Sequence, residues 1–527
     1  MFGSKDKQVV RLPRILHELA FSPMRYLLAP AVVALCILAV RPTSSNAQAS
    51  PYIPLDDPLL PLLEHLIARG DIRDPSPQVR PFRRIEAVEA IRSAIGESDD
   101  DADPILWTVL SAYEDDSSTA RWRLDGNLGA QAYTNARRDP LHPSGPDGVR
   151  PYVDLGLTGV FGNVVAVARP TLEPRLTDDP AWPGRRNLEV TGRHADAYIS
   201  AQFKWIRLFY GQMDMNWGPV GVPGIGLSNY GYPRLTMGFE LGRPSLGLRA
   251  VAADLLDETA ADGTVIHRYF FAHRFQVQID KRLALGLWET TVLAGPDRNF
   301  DGRYRNPVSL LLLANEYGLG DDGNILIGLD VDWQVGRHTR IQGQLAIDDV
   351  SYQDRSAPDR NPDRWALTLA ASGALGRRAS WRALYTQASS LAFRAFDPIE
   401  NFTDAGIGLG RSFPDNDQLT LTLSVPATPR WLLTPELTIL RQGEGRLSDP
   451  YPTGTARGAT PQLFIGVVEK TFRAALGVSG RQGPLGVSAN IGLHHRRDAG
   501  HVEGRTTTEV EGHLQITVGI TRGGVLK

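Results

Sequence analysis

The sequence predicts a mainly β protein, a large antiparallel transmembrane β-barrel of about 18 strands preceded by a small N-terminal helical bundle. Three observations carry that expectation. The N-terminal region reads as a secretion leader, the hydrophobic period changes from helical to two near residue 119, and the connections then alternate between short and long.

The leader comes first. Arg25 precedes an apolar run from Tyr26 to Val40, and Ala47-Gln48-Ala49 supplies the small residues that a signal peptidase accepts. At about 15 residues the run is short for a membrane-spanning helix. Residues 1–23 are either an extended n-region or the product of an early start codon. The sole cysteine, Cys36, sits inside the apolar run behind the bulky Leu35, which argues against a lipoprotein cleavage site. Cleavage after Ala49 leaves no cysteine, so disulfides, zinc-thiolate sites and thiol catalysis are excluded. It also leaves 50 Lys and Arg against 57 Asp and Glu, a mildly acidic chain.

Residues 50–118 read as short helices. Leu59, Leu60, Leu62, Leu63, Leu66 and Ile67 form an apolar stripe, with Asp56 and Asp57 suited to its start and Gly70 to its end. A second segment holds Ile85, Val88, Ile91 and Ile95, and a third runs from Pro104 through Trp107 to Tyr113. The acidic run 99–103 separates them as a solvated linker.

Residues 119–527 make the barrel. Leu419 to Val425 and Leu514 to Ile520 alternate apolar and polar. Ile325, Ile327, Leu329, Val331 and Trp333 share one face of another strand, and Gly328, Asp330, Asp332 and Gln334 the other. Short turns are expected near 161–163, 204–206, 243–245, 280–282, 336–339, 376–379, 426–430 and 480–484. Long loops are expected near 135–149, 174–190, 214–232, 255–265, 295–322, 350–362, 391–403 and 442–460. Short turns alternating with long loops are the rhythm of an outer-membrane barrel, which places the chain in the bacterial outer membrane, in contact with its lipid. Trp205, Tyr269, Trp333, Trp365, Trp381 and Trp431 fall near strand ends, where interfacial girdles form. The last strand is expected over 506–520, with a short tail after it.

Composition narrows the function. The net charge is −3 and no basic block or nucleic-acid motif occurs, so no nucleic-acid partner is expected. No Gly-x-Ser-x-Gly elbow, phosphate loop or His-Glu-x-x-His helix is present, so the chain is read as non-enzymatic and without a cofactor. Asp297 to Gly302 looks like the first half of a calcium loop, but Val308 stands where the closing Glu belongs, and an ordinary external loop is the better reading. His494 and His495 are adjacent in a strand and face opposite sides, so they do not share a metal. Asp348-Asp349 and Asp321-Asp322 read as loop edges.

One segment carries a resemblance. Phe209 to Met237 reads FYGQMDMNWGPVGVPGIGLSNYGYPRLTM. It resembles the signature of the Wzi family of capsule-assembly outer-membrane proteins at Gly211, Gln212, Trp217, Gly218, Pro219, Leu227, Ser228, Asn229 and Pro233. Similarity continues through His273-Arg274-Phe275, Gly286 to Glu289, Asn306-Pro307, Gly328 to Asp330 and Ile347 to Asp349, and Arg80-Pro81-Phe82-Arg83-Arg84 resembles a family element in the helical region. Val220 and Tyr230 depart from the family pattern. The resemblance covers most of the chain after the leader. It implies an 18-stranded barrel, a helical bundle on the periplasmic side, and a lectin-like role holding capsular or extracellular polysaccharide at the cell surface.

Sugars present both C–H faces and hydroxyls, so a site needs planar aromatics and polar side chains together. Loop 214–232 offers Asp214, Asn216, Trp217, Asn229, Tyr230 and Tyr232, with Gly and Pro to fix its shape. The plain alternative is that the loop plugs the barrel and its Trp is packing. The rival function is a porin for small polar solutes, which needs an open charged constriction.

Overall fold

The computed structural model describes residues 49–526 except 98–102, 116–117, 135–138, 142–145, 189, 244, 261, 317–322, 351–356 and 377. The leader up to Gln48, with Cys36, lies outside the described residues, as do 99–102 of the acidic run and Asp321-Asp322.

Eighteen antiparallel strands close into one barrel. They are β1 (Ala120–Tyr133), β2 (Gly148–Phe161), β3 (Val164–Leu172), β4 (Gly192–Gln202), β5 (Ile206–Gln212), β6 (Leu235–Arg243), β7 (Leu246–Asp254), β8 (Val265–Gln278) and β9 (Leu283–Gly295). They continue as β10 (Asn324–Gly336), β11 (Thr339–Asp349), β12 (Arg364–Leu375), β13 (Ala379–Ala388), β14 (Asn416–Thr428), β15 (Trp431–Gln442), β16 (Glu469–Gln482), β17 (Leu485–Arg497) and β18 (Thr506–Val525). Each pairs with its sequence neighbour, and β18 pairs with β1 from Arg121↔Val525 to Tyr133↔His513. Closure leaves no edge, so every strand finds backbone partners on both sides, as a membrane demands.

Short connections join β2 to β3, β4 to β5, β6 to β7, β8 to β9, β10 to β11, β12 to β13, β14 to β15 and β16 to β17, the eight that were expected. The opposite rim carries the eight expected long loops and a ninth connection, 498–505, too brief to register as a loop in the sequence. The last strand is longer than expected. Thr521–Val525 is strand rather than tail, because β1 offers Arg121–Asp125 as a ladder partner.

Side-chain direction alternates as the sequence requires. Leu285, Leu287, Leu329, Leu345, Leu421, Leu437, Leu476 and Leu493 project outward and are exposed. Arg274, Asp330, Arg340, Gln344, Arg473, His494 and Glu511 project inward and are buried. A closed barrel that is apolar outside and polar inside, with short turns at one rim and long loops at the other, has the architecture of a bacterial outer-membrane protein. Trp205 and Trp333 lie exposed near the short-turn rim, where Arg243 covers Trp205 at 4.0 Å. His494 points inward to Arg473 Nε at 2.9 Å while His495 points outward to Thr508, so the two imidazoles are separated by the wall.

Among the described residues three helices precede the barrel: α1 (Leu60–Arg69), α2 (Arg84–Gly96) and α3 (Pro104–Tyr113). Their apolar faces share one cluster that includes Leu62, Leu63, Leu66, Val88, Ile91, Ile105 and Val109. Asp103 caps α3 by accepting Ile105 N–H at 2.9 Å, and Glu86 accepts Arg83 N–H at the start of α2. Gly70 ends α1 in a left-handed conformation, and any side chain there would meet the Arg337 carbonyl at 2.3 Å. That close approach seats α1 on the short-turn rim. His338 Nδ1 lies 3.1 Å from the Arg69 carbonyl, and His65 Nδ1 lies 2.8 Å from Ser380 Oγ. Burial, helped by Arg69, pulls the His65 imidazole down to about 4, so it is neutral there.

Candidate functional site in the lumen and at the loop rim

From α1 the chain passes into the lumen, where residues 74–80 meet loop 213–234 descending from the opposite rim. Val79↔Trp217 and Arg80↔Asn216 form a short antiparallel ladder, and Gly218 N–H donates to the Gln78 carbonyl at 2.8 Å. Gln344 of β11 clamps the loop from the wall, donating to the Trp217 carbonyl at 2.9 Å and accepting Ile225 N–H at 2.9 Å. Gly224 permits a close crossing, since a Cβ there would lie 2.0 Å from the Trp217 carbonyl. The Trp217 indole is 3% exposed, in a cluster with Val79, Ile225, Leu227, Phe270 and Trp288.

Charge holds the other side of this junction. Arg80 reaches Glu64 at 2.6 Å and Asp74 at 2.9 Å, and Arg340 of β11 reaches Asp74 at 2.6 Å and also Asp332. Burial opposes the Asp74 charge, but Arg80 and Arg340 outweigh it and hold the carboxyl well below the ordinary carboxylate range. Such a network is costly to break, because each partner left behind is a buried charge.

The six candidate positions divide by exposure. Asn216, Trp217 and Tyr230 are buried: Asn216 Oδ1 accepts Gly224 N–H at 2.7 Å, and Tyr230 donates to the Asp139 carbonyl at 2.9 Å and packs edge-on against Phe413. Asn229 is exposed, and Asp214 and Tyr232 are half-buried. Burial pushes the Asp214 carboxyl up to about 7 despite Arg193 nearby. Tyr232 donates to Asp179, packs edge-on against Trp182 at 4.8 Å and lies under the Arg193 guanidinium at 5.8 Å.

Loop 389–415 also folds inward. Leu409 carbonyl accepts Ser228 N–H at 2.9 Å, Ser228 Oγ donates to the Gly410 carbonyl at 2.7 Å, and Phe393 and Phe402 join the Trp217 cluster. A polar cleft lies between the N-terminal segment and β1–β4. Its charged lining includes Arg123, Asp125, Asp154, Asp196 and Arg169, and Arg169 ties Asp56 of the N-terminal segment to Asp154 at 2.8 Å.

This barrel has a solved counterpart. It is similar to Wzi of Escherichia coli, an outer-membrane protein involved in group 1 capsule assembly and a carbohydrate-binding β-barrel. The TM-score is 0.61 at 15% identity, covering 89% of this chain and 99% of that one. OprD and OpdQ of Pseudomonas aeruginosa each align over 77% of this chain and 94% and 97% of their own, at 10% and 12% identity, with TM-scores of 0.42 and 0.38. No family model matches the sequence, and no curated protein matches it. The likeness to Wzi at this identity is one of fold.

Loop 214–232 stands out in the sequence, but its partners do not. Gln344 alternates with the apolar Ile341, Leu345 and Ile347 along the chain, yet nothing in its spacing pairs it with Trp217. Asp74, Gln78 and Val79 carried no signal, and Arg80 entered only through the resemblance. Trp182 and Asp179, which support Tyr232, were read as part of a polar loop. In the calcium-like stretch, Asp301 is engaged by the Arg303 guanidinium at 2.7 Å and by Arg303 N–H at 2.8 Å.

Proposed function

We propose that this protein holds capsular or extracellular polysaccharide at the outer surface of the bacterial outer membrane, as a lectin-like, non-enzymatic capsule-assembly barrel. The observation that carries the reading is the pairing of loop 213–234 with the N-terminal segment inside the lumen. A loop fixed at that depth is a rigid support for whatever its outer half presents. That outer half presents Asn229 and Tyr232, with Trp182 and Arg193 beside the tyrosine ring. Aromatic faces, a guanidinium and an amide are the groups that grip a sugar chain. Asn216, Trp217 and Tyr230 serve by holding the loop's shape, and Asp214 by its contact with the cleft. The Wzi-like fold supports the same reading, since Wzi binds carbohydrate.

In this reading residues 1–49 are removed on export, 50–118 form the helical bundle on the periplasmic side, and 119–527 form the barrel. The test is binding of the folded protein to the polysaccharide of its own host, immobilised at increasing density. Saturable binding that Tyr232→Ala weakens about tenfold, the equivalent of about 1.4 kcal/mol, supports the role. Absence of binding by the folded wild type would overturn it.

The second reading is a diffusion channel for small polar solutes. The charged cleft beside β1–β4 is the observation that favours it. Solute-dependent swelling of proteoliposomes, lost when Arg169 and Asp154 are replaced by larger neutral residues, would promote it.

A further inference from the structure

Residues 296–316 behave unlike the loops that fill the lumen. On β8, Phe270 and Ala272 face the Trp217 cluster inside, so Phe271 and His273 face out. On β9, the residues in register with them, Thr291 and Glu289, share the outward face with the exposed Leu285 and Leu287. Phe271, Leu293 and Thr291 are nevertheless fully buried, because the loop folds down over them. Phe300 and Tyr304 pack on Phe271 at 5.3 and 5.7 Å, and Leu311 and Ala314 complete the cluster.

The depth of this contact is set by the wall. Leu283 of β9 is in register with Trp333 near the short-turn rim, and Glu289 stands six residues further along. At about 3.4 Å per residue and a tilt of about 40°, Glu289 lies roughly 15 Å above the Trp333 level, within a lipid-facing band about 25 Å tall. Two ionisable groups therefore face outward at membrane depth, and the loop covers both. His273 Nδ1 lies 2.9 Å from the Ser309 carbonyl, and the Glu289 carboxylate accepts Leu311 N–H at 2.7 Å and Leu312 N–H at 3.2 Å. From Val308 to Leu313 the exposed side chains of the loop are apolar. Val308, Leu310, Leu312 and Leu313 are 64%, 56%, 42% and 50% exposed and continue the band of Leu285, Leu287 and Leu329.

We propose that residues 300–316 form a lipid-facing flap that lies in the outer leaflet and holds its acyl chains through Val308, Leu310, Leu312 and Leu313. Continuity with the lipid-facing band identifies the partner, because the apolar surface is laid against the outside of the wall rather than above the rim. The flap replaces the polar patch of His273 and Glu289 with hydrocarbon, as a membrane-facing surface requires. This inference stands whether or not the protein binds polysaccharide.

The test uses the barrel as exported, without its leader and therefore without a native cysteine, in phosphatidylcholine vesicles, with one environment-sensitive fluorophore on Leu312→Cys, or on Leu313→Cys if the first variant folds poorly. A reference label sits on Asn229→Cys, in the loop rim. The proposal expects a blue-shifted 312 label, quenched by spin-labelled acyl chains and protected from iodide, with the reverse at 229. Adding Glu289→Gln should raise iodide access at 312 while leaving 229 unchanged. Equal iodide quenching at 312 and 229 would overturn the proposal.

Discussion

Loop 213–234 and loop 296–316 leave the same rim of the barrel and fold in opposite directions. The first turns into the lumen, pairs with Val79 and Arg80, and buries Trp217. The second turns outward, packs Phe300 against the outer wall and buries Tyr304 and Leu311 there. Their compositions differ accordingly, with Gly, Pro and amides in one and a leucine run in the other. The wall decides the direction. Polar side chains need partners on whichever face they stand, and Gln344 offers a clamp inside while Glu289 and His273 offer one outside. A loop is drawn to the face where its free backbone groups and the wall's polar groups satisfy each other.

The comparison can be broken first at its inner half. Trp217→Ala removes the centre of the lumen cluster and should cost about 3–5 kcal/mol in urea unfolding of the vesicle-embedded barrel. Arg80→Ala strands the buried Glu64 and leaves Asp74 with Arg340 alone, and should cost about 3–5 kcal/mol. Neither change should alter fluorophore depth at position 312. At the outer half, Glu289→Gln keeps the shape but weakens the bonds to Leu311 and Leu312, with an expected loss of about 1–3 kcal/mol read as faster amide exchange of those two residues.

Smaller effects come from pH. The His65 pKa falls from 6.5 to about 4 on folding, so its contribution is complete above pH 6.5 and is lost as pH falls toward 4. Exchange of α1 amides should rise over that window, and His65→Gln should flatten it. Asp214 moves the other way, from 3.8 up to about 7. Its contribution is complete below about 3.8, declines as pH rises toward 7 and is gone above it. Trp217 emission should report that loosening, and Asp214→Asn should abolish it.

The barrel was legible because alternation is a local signal. Leu419 to Val425 reads as a strand with no knowledge of its neighbours, and each turn sits where the alternation stops. The destination of the long loops was not legible, because it depends on contacts far apart in sequence, such as Gln78 with Gly218 and Glu289 with Leu311. The candidate loop was visible as a segment, but not that Trp217, Asn216 and Tyr230 take packing positions within it while Asn229 is exposed and Tyr232 half-buried. Thr521–Val525 was missed as strand for the same reason, since its partner lies at the far end of the chain.

The most direct test of the account is single-channel conductance in planar bilayers, because a lumen occupied by two paired segments is its central claim. The account predicts that the wild-type barrel stays closed, and that Trp217→Ala combined with Arg80→Ala opens steady steps. Steady ohmic conductance from the wild type would contradict it.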